Sequence, residues 1–154
     1  LKAYPKAIKL MFFFSYQSFL WNRILNELIR EKTETFAVRL TKSEKISFYT
    51  SISPELKKII HLELPYVSEE VHSFPEKSIR DKIIRWIEKE NLNPHLKREV
   101  LGLRAFSSGK RRIIVFPKDM RICGIHKNTA TIQFFLPSGS YATVLLLKVL
   151  NYPL

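Results

Sequence analysis

From Ser15 to Lys32 the chain reads SYQSFLWNRILNELIREK, and Leu20, Trp21, Ile24, Leu25 and Leu28 recur at helical spacing. Asn22, Arg23, Asn26, Glu27 and Arg30 supply much of the polar remainder. The stretch therefore predicts a helix that packs its apolar face into a core. The pattern then changes: Phe36–Leu40 and Ile46–Thr50 read as two short strands joined as a hairpin through Thr41 to Lys45. In SPELKKII, Ser53 is placed to cap a helix and Pro54 to occupy its first turn. HLELP reads as a strand. FPEKSIRDKIIRWIEKENL predicts a second strong helix over 76–91, with Ile79, Ile83, Trp86 and Ile87 as its stripe and Pro75 at its start. A helical turn capped by Asn93 follows.

The last third is strand-like. Arg112–Phe116 is expected to stop at Pro117, and Thr131–Leu136 at Pro137. RICGIH, between them, fits a strand or an irregular turn. After Ser140 two readings stay open. Val144, Leu145, Val149 and Leu150 suit a helix capped by Ser140, whereas the Leu and β-branched content suits a strand. The expectation is an α+β fold. A mixed or antiparallel sheet carries Arg112–Phe116 and Thr131–Leu136, and helices 15–32 and 76–91 flank it.

Composition narrows the class. The 154 residues hold 45% hydrophobic and 12% aromatic residues, which excludes disorder and allows one core with a small appended lobe. Lys and Arg number 26 against 14 Asp and Glu, a net charge of +12, so polyanions are attracted and nucleic acid is the first partner to consider. A basic, solvated surface without a dedicated partner is the plainer reading. One cysteine, Cys123, excludes an internal disulfide framework and reads as a small buried thiol. His61, His72, His95 and His126 are scattered without metal-ligand spacing, so no metal site is expected. LMFFF is too short to span a bilayer. Lys6 and Lys9 precede it, but no small-residue cleavage site follows, so the chain reads as cytoplasmic.

Three stretches hold candidate chemistry. In LPSGSYAT, Gly139 permits a sharp bend. If Ser140 caps a helix, the N–H groups of Tyr141, Ala142 and Thr143 are open donors, and Tyr141 stands ready to stack on a flat ring. Spacing alone favours an ordinary turn with a buried tyrosine. In SGKRRII, the cluster Lys110, Arg111 and Arg112 suits phosphate contacts, strengthened by Lys97, Arg98, Arg104 and Lys118 nearby in sequence. In SYQSFLWN, Tyr16, Gln17 and Asn22 are polar groups in an apolar helix, placed either to brace a loop or to sit at the core boundary. A general base or nucleophilic carboxylate is missing. Asp81 falls on a helix's polar side and Asp119 in a Pro-Lys-Asp turn.

Taken together, SYQSFLWN, GKRRIIVFPKDM and FFLPSGSYATVLL resemble the TruD family of tRNA pseudouridine synthases, over roughly 10–32 and 95–150. The likeness is to its Tyr-Gln-Ser helix, its Arg-Arg strand with a Pro-x-Asp-Leu turn, and its Leu-Pro-x-Gly-Ser-(Phe/Tyr)-Ala-Thr ending. The resemblance implies isomerisation of a tRNA uridine, typically at position 13, with no metal or organic cofactor. It also implies that the catalytic aspartate lies in a Lys-Asp motif ahead of the Tyr-Gln-Ser helix, with an Asn-x-Phe-Gly-x-Gln motif. Neither precedes that helix here. The chain then reads as the C-terminal part of a pseudouridine-synthase-like catalytic domain, formed by 1–32 and 76–154, with 33–75 as a reduced insertion lobe. Its expected partners are tRNA and the missing N-terminal half, and it is expected to be inactive alone. The alternative is a non-catalytic RNA-binding module. By the same resemblance Tyr141 matches the residue that contacts the target pyrimidine, with Gly139 and Ser140 beside it. Lys110, Arg111, Arg112 and Arg104 become RNA contacts, and Gln17 and Asn22 structural support.

Overall fold

The computed structural model describes residues 4–40, 42, 45–92, 99–100, 103–104 and 106–153, of which 99–100 and 103–104 by backbone alone. Its spine is α1, Lys6–Lys32. The helix begins before Ser15 because Pro5 presets the entry and KAIKLMFFF holds no helix breaker. Along its second half, Leu20, Trp21, Ile24, Leu28 and Ile29 are buried.

Strands β1 (Thr35–Arg39) and β2 (Lys45–Tyr49) form the expected antiparallel hairpin, with Phe36 opposite Phe48. Asn26 of α1 fastens it: its Oδ1 accepts from Ser47 N at 2.9 Å and its Nδ2 donates to Lys45 O at 3.3 Å. Helix α2 is one turn, Pro54–Lys57, and Ser53 Oγ caps it by accepting from Leu56 N at 3.0 Å. Strand β3 (Glu63–Pro65) and a 3-10 turn at Glu69–Ser73 lead into α3, Lys77–Lys89. Ile79, Ile83 and Ile87 of α3 are buried on the predicted stripe. The pair β4 (Glu99–Val100) and β5 (Leu103–Arg104) follows, while Asn93 lies outside the described residues.

Among the described residues, four two-stranded antiparallel pairs replace the single sheet expected. Strand β6, Lys110–Arg112, pairs with β3, placing Arg111 opposite Leu64. It does not run to Phe116: Ile113 N still donates to Leu62 O at 3.1 Å, and past that bond no further pairing with β3 occurs among the described residues, while Ile113 and Ile114 are buried in the core. Pro117 therefore marks no strand end; β7 (Lys118–His126) starts after it and pairs with β8 (Thr129–Phe135). RICGIH is thus a strand, and β6 and β8 belong to different sheets. Every residue of β7 is exposed, Cys123 included, so the expected buried thiol is wrong. Helix α4, Ala142–Leu150, settles the ambiguity after Ser140 in favour of a helix.

One apolar cluster joins α1 and α3 to Leu56, Leu64, Val67, Val71, Phe74, Phe106, Ile113 and Ile114. Beside it, α1 and α3 share a polar clamp. Lys82 Nζ donates to Glu27 at 2.8 Å and to Glu31, and Trp86 Nε1 donates to the second oxygen of Glu27 at 2.7 Å. Burial alone would lower the Lys82 pKa, but the bonds to Glu27 and Glu31 outweigh it and the net direction is up. The hydrogen bond from Lys82 holds Glu27 below its ordinary value of 4.5. Tyr16 OH donates to Glu90 at 3.0 Å farther along the same seam, and burial, reinforced by that carboxylate, raises its pKa.

The clamp's contribution is fully present above pH 4.5 and is lost as pH falls through the depressed Glu27 value. At the alkaline end it is fully present below 10.5 and is lost as pH rises through the raised Lys82 value. Lys82→Met keeps the stem packed and deletes the charge. Because both carboxylates are partly solvated, the expected loss is about 1 kcal/mol at pH 7. Urea melts should show that difference shrinking as pH drops below 4.5; a difference independent of pH would refute the clamp.

Candidate nucleic-acid interface

Strand alternation divides the basic cluster. In β6, Lys110 and Arg112 are exposed, while Arg111 turns to the other face and is half-buried. There its guanidinium carbon lies 5.1 Å from the ring centre of Trp21, 5.4 Å from that of Tyr66 and 5.8 Å from that of Tyr141. Among the described residues no carboxylate pairs with it. Arg112 instead makes a loose, solvated ion pair with Glu63 at 3.9 Å. The side chain of Arg104 lies outside the described residues.

The loop before β6 is held from α1. Gln17, buried, donates from Nε2 to Val67 O at 3.1 Å and to Ser107 O at 2.8 Å, and its Oε1 accepts from Ser107 Oγ at 2.9 Å. Trp21 Nε1 donates to Leu64 O at 3.2 Å, tying α1 to the strand that partners β6. Gly109 closes the loop at φ 138°, where a Cβ would stand 3.2 Å from the Tyr66 ring. Its N–H donates to Glu70 at 3.2 Å, and its carbonyl accepts from Tyr66 N at 2.9 Å. Glycine thus lets Tyr66 close on the loop and flank Arg111.

Tyr141 comes from a second turn. Ser140 N donates to Pro137 O at 3.2 Å, and Gly139 has φ 81°, the left-handed conformation required at the third position of a type II turn. The expected Ser140 cap is not formed. Tyr141 itself holds the N-cap position, its carbonyl accepting from Val144 N at 3.1 Å, and no side chain caps the helix. Extended backbone at Tyr141 moves the helix start one residue later, so the open N–H groups are those of Ala142 and Thr143, for which the described residues offer no acceptor.

Tyr141 is 60% exposed. It borders an open cavity of about 760 Å³ whose far wall is the outer face of α1: Met11, Phe14, Ser15, Phe19 and Asn22. Asn22 faces this cavity and has no hydrogen-bond partner among the described residues, whereas Gln17 lies inside the fold as a brace. Asp81 and Asp119, the aspartates of the sequence, do not line it. Asp81 is exposed beside Arg80, and Asp119 is exposed at φ 49°. Among the described residues no cluster of His, Cys, Asp and Glu suited to a metal occurs, and no helix is long and apolar enough to cross a membrane. Reading by pattern placed Trp21 in the core and left Tyr66 aside. Their common contact with Arg111 arises only because α1 and β3 converge on β6, which no local motif signals.

An α+β scaffold that presents an exposed aromatic ring beside a cavity, with an uncompensated guanidinium behind it, defines a basic surface suited to flat, anionic ligands. Residues 1–149 match the family described as tRNA pseudouridine synthase D (TruD), and the chain belongs to that family. The matched range includes the middle segment, where the motifs alone showed little likeness. The chain is 34% identical to tRNA pseudouridine synthase D of Aquifex aeolicus, over 94% of this chain and 38% of that protein. It is 30% identical to a probable tRNA pseudouridine synthase D 1 of Methanococcus maripaludis, over 97% of this chain and 40% of the relative. Identity to a probable tRNA pseudouridine synthase D of Nanoarchaeum equitans is 26%, over 99% and 36%. The chain thus spans about two fifths of the length of these relatives. No solved structure matches it significantly.

The geometry separates bracing from display. Gln17→Met strands three polar groups in the interior, so unfolding free energy should drop by about 1–3 kcal/mol per unsatisfied group, less whatever water recovers. Tyr141→Ala, at a largely solvated ring, should change stability by no more than about 0.5 kcal/mol. Denaturant titrations of both variants check this, and equal losses would contradict it.

Proposed function

We propose that the chain is the nucleotide-holding part of a TruD-type tRNA pseudouridine synthase. The observation that carries this is Tyr141, exposed at the rim of an open groove along α1 and backed by Arg111. A uridine in a stacked strand cannot be isomerised in place; it must first leave the stack. A ring free on one face gives the extruded base a surface, worth about 1–3 kcal/mol. The open N–H groups of Ala142 and Thr143 lie at the positive end of α4, where polar base edges or phosphate oxygens are favoured. Lys110 and Arg112, solvated on the outer face of β6, are placed to meet the RNA backbone. Gly139 and Ser140 shape the turn that delivers the ring.

The bond-breaking step calls for an aspartate to attack the uridine, after which the glycosidic bond breaks, the base rotates and carbon replaces nitrogen at the sugar. Neither aspartate here borders the cavity, so the nucleophile is assigned to an N-terminal half of the enzyme. The exposed Ile122, Ile125 and Phe135 of the β7–β8 hairpin support such a packing partner, being apolar groups that a finished enzyme seldom leaves in water. In this reading residues 33–75 are the shortened insertion and the compartment is cytoplasmic.

Two expectations test it. Binding of the chain to unmodified tRNA should weaken steeply with salt, and Tyr141→Ala should lower affinity about tenfold or more, consistent with loss of one stacked base. The chain alone should form no pseudouridine, and addition of the N-terminal half of a relative should restore product in a tritium-release assay. Salt-independent binding would remove the RNA groove. Tight RNA binding without product in the complemented mixture would favour a non-catalytic RNA-binding module.

A further inference from the structure

At the other end of α4 lies a second, unassigned pocket of about 330 Å³. Its rings come from three places in the chain: Tyr49 at the end of β2, Phe116 just before β7, and Tyr152 after α4. Leu145, Val149 and Pro117 complete an apolar floor. Lys148, in the last turn of α4, reaches across so that Nζ stands 3.0 Å from the centre of the Tyr49 ring. The Tyr152 ring is held at two points. Tyr152 OH donates to Thr50 O at 2.9 Å, and its ring meets Phe36 edge-on at 5.8 Å. Phe116 and Tyr152 keep 46% and 45% of their surface exposed, so the mouth is open.

What this pocket lacks is an anion. No Asp or Glu lines it, and among the described residues Lys148 has an aromatic partner and no carboxylate. Burial brings the amine down to about 8, so it remains mostly charged at neutral pH while poorly hydrated. A phosphate oxygen would supply the missing counter-charge, and the rings would take a flat base. The volume lies at the small end for ligand sites, which run from about 300 to 1,000 Å³, and suits one nucleotide. Lys148 is seven residues along α4 from Tyr141, about 10 Å at helical rise. That distance is short enough for one RNA strand to reach both.

We propose that this pocket, resting on the RNA-binding reading above, holds a second unpaired nucleotide of the same RNA, its base against Phe116 and Tyr152 and its phosphate on Lys148, which lies over the Tyr49 ring. The target base and this neighbour then occupy opposite ends of α4, which fixes the register of the strand and makes the neighbour's identity a source of specificity.

The test uses this chain with tRNA carrying 4-thiouridine, irradiated and mapped by mass spectrometry. Crosslinks are expected at Phe116 or Tyr152 as well as near Tyr141. Lys148→Met, which keeps the packing stem, should weaken tRNA binding several-fold and make the plot of log affinity against log salt shallower by about one. Lys148→Arg should retain the slope. Circular-dichroism melts of both variants establish that they fold. Crosslinks near Tyr141 alone, with Lys148→Met unchanged in affinity and slope, would overturn the pocket and leave the proposed function standing. No crosslink at either place would overturn both. Free UMP or AMP perturbing the pocket's tyrosines, without any tRNA crosslink there, would overturn the RNA assignment in favour of a mononucleotide site.

Discussion

Arg111 meets three aromatic rings and, among the described residues, no carboxylate, and the rest of the site follows from that contact. A guanidinium held over aromatic faces gains about 0.5–2 kcal/mol according to how dry it is. Unlike a salt bridge, the arrangement leaves the positive charge uncancelled. The ring of Tyr141, 5.8 Å away, therefore stands against a group that would also attract the ligand proposed for the ring. Trp21 and Tyr66 supply the other walls, and both depend on α1 and β3 meeting β6 in register.

That register is secured from inside. Gln17 closes the loop ahead of β6, and Trp21 fixes the backbone of β3. Helix α1 thus has two jobs on two faces. Its buried face locks the strands that carry Arg111; its outer face, through Phe14, Phe19 and Asn22, forms the cavity wall opposite Tyr141. The Lys82 clamp to Glu27 and Glu31 holds α3 to the far end of the same helix. A rigid floor with an exposed ring at its edge is the division expected of a site that must accept a base already taken from its stack.

Much of this was legible in the sequence. The 3.6-residue period of α1 and α3 is strong, and Ser53-Pro54 is an explicit start signal. The TruD likeness rested on three separated motifs and agrees with the family match over 1–149. What local pattern could not supply was pairing. Arg112–Phe116 has strand-like residues, yet Ile113 and Ile114 are drawn into the core, and β6 stays short beside β3. The apolar neighbours of Cys123 suggest burial, but every residue of β7 is exposed and only alternate residues of β8 are partly covered. The one-residue shift from Ser140 to Tyr141 at the cap has the same origin: residue preference favours serine, and the turn at Gly139 decides otherwise. The pocket around Lys148 draws on segments a hundred residues apart, beyond the reach of any motif.

The central claim is that the Tyr141 ring offers an open face to an unstacked base. The chain has six tyrosines, so 3-fluorotyrosine labelling followed by ¹⁹F NMR, with Tyr141→Phe to assign the signal, reads that ring directly. On adding unmodified tRNA, the Tyr141 resonance should move upfield under the ring current of a base lying over it. A Tyr141 signal that stays in place while the complex forms would contradict the account.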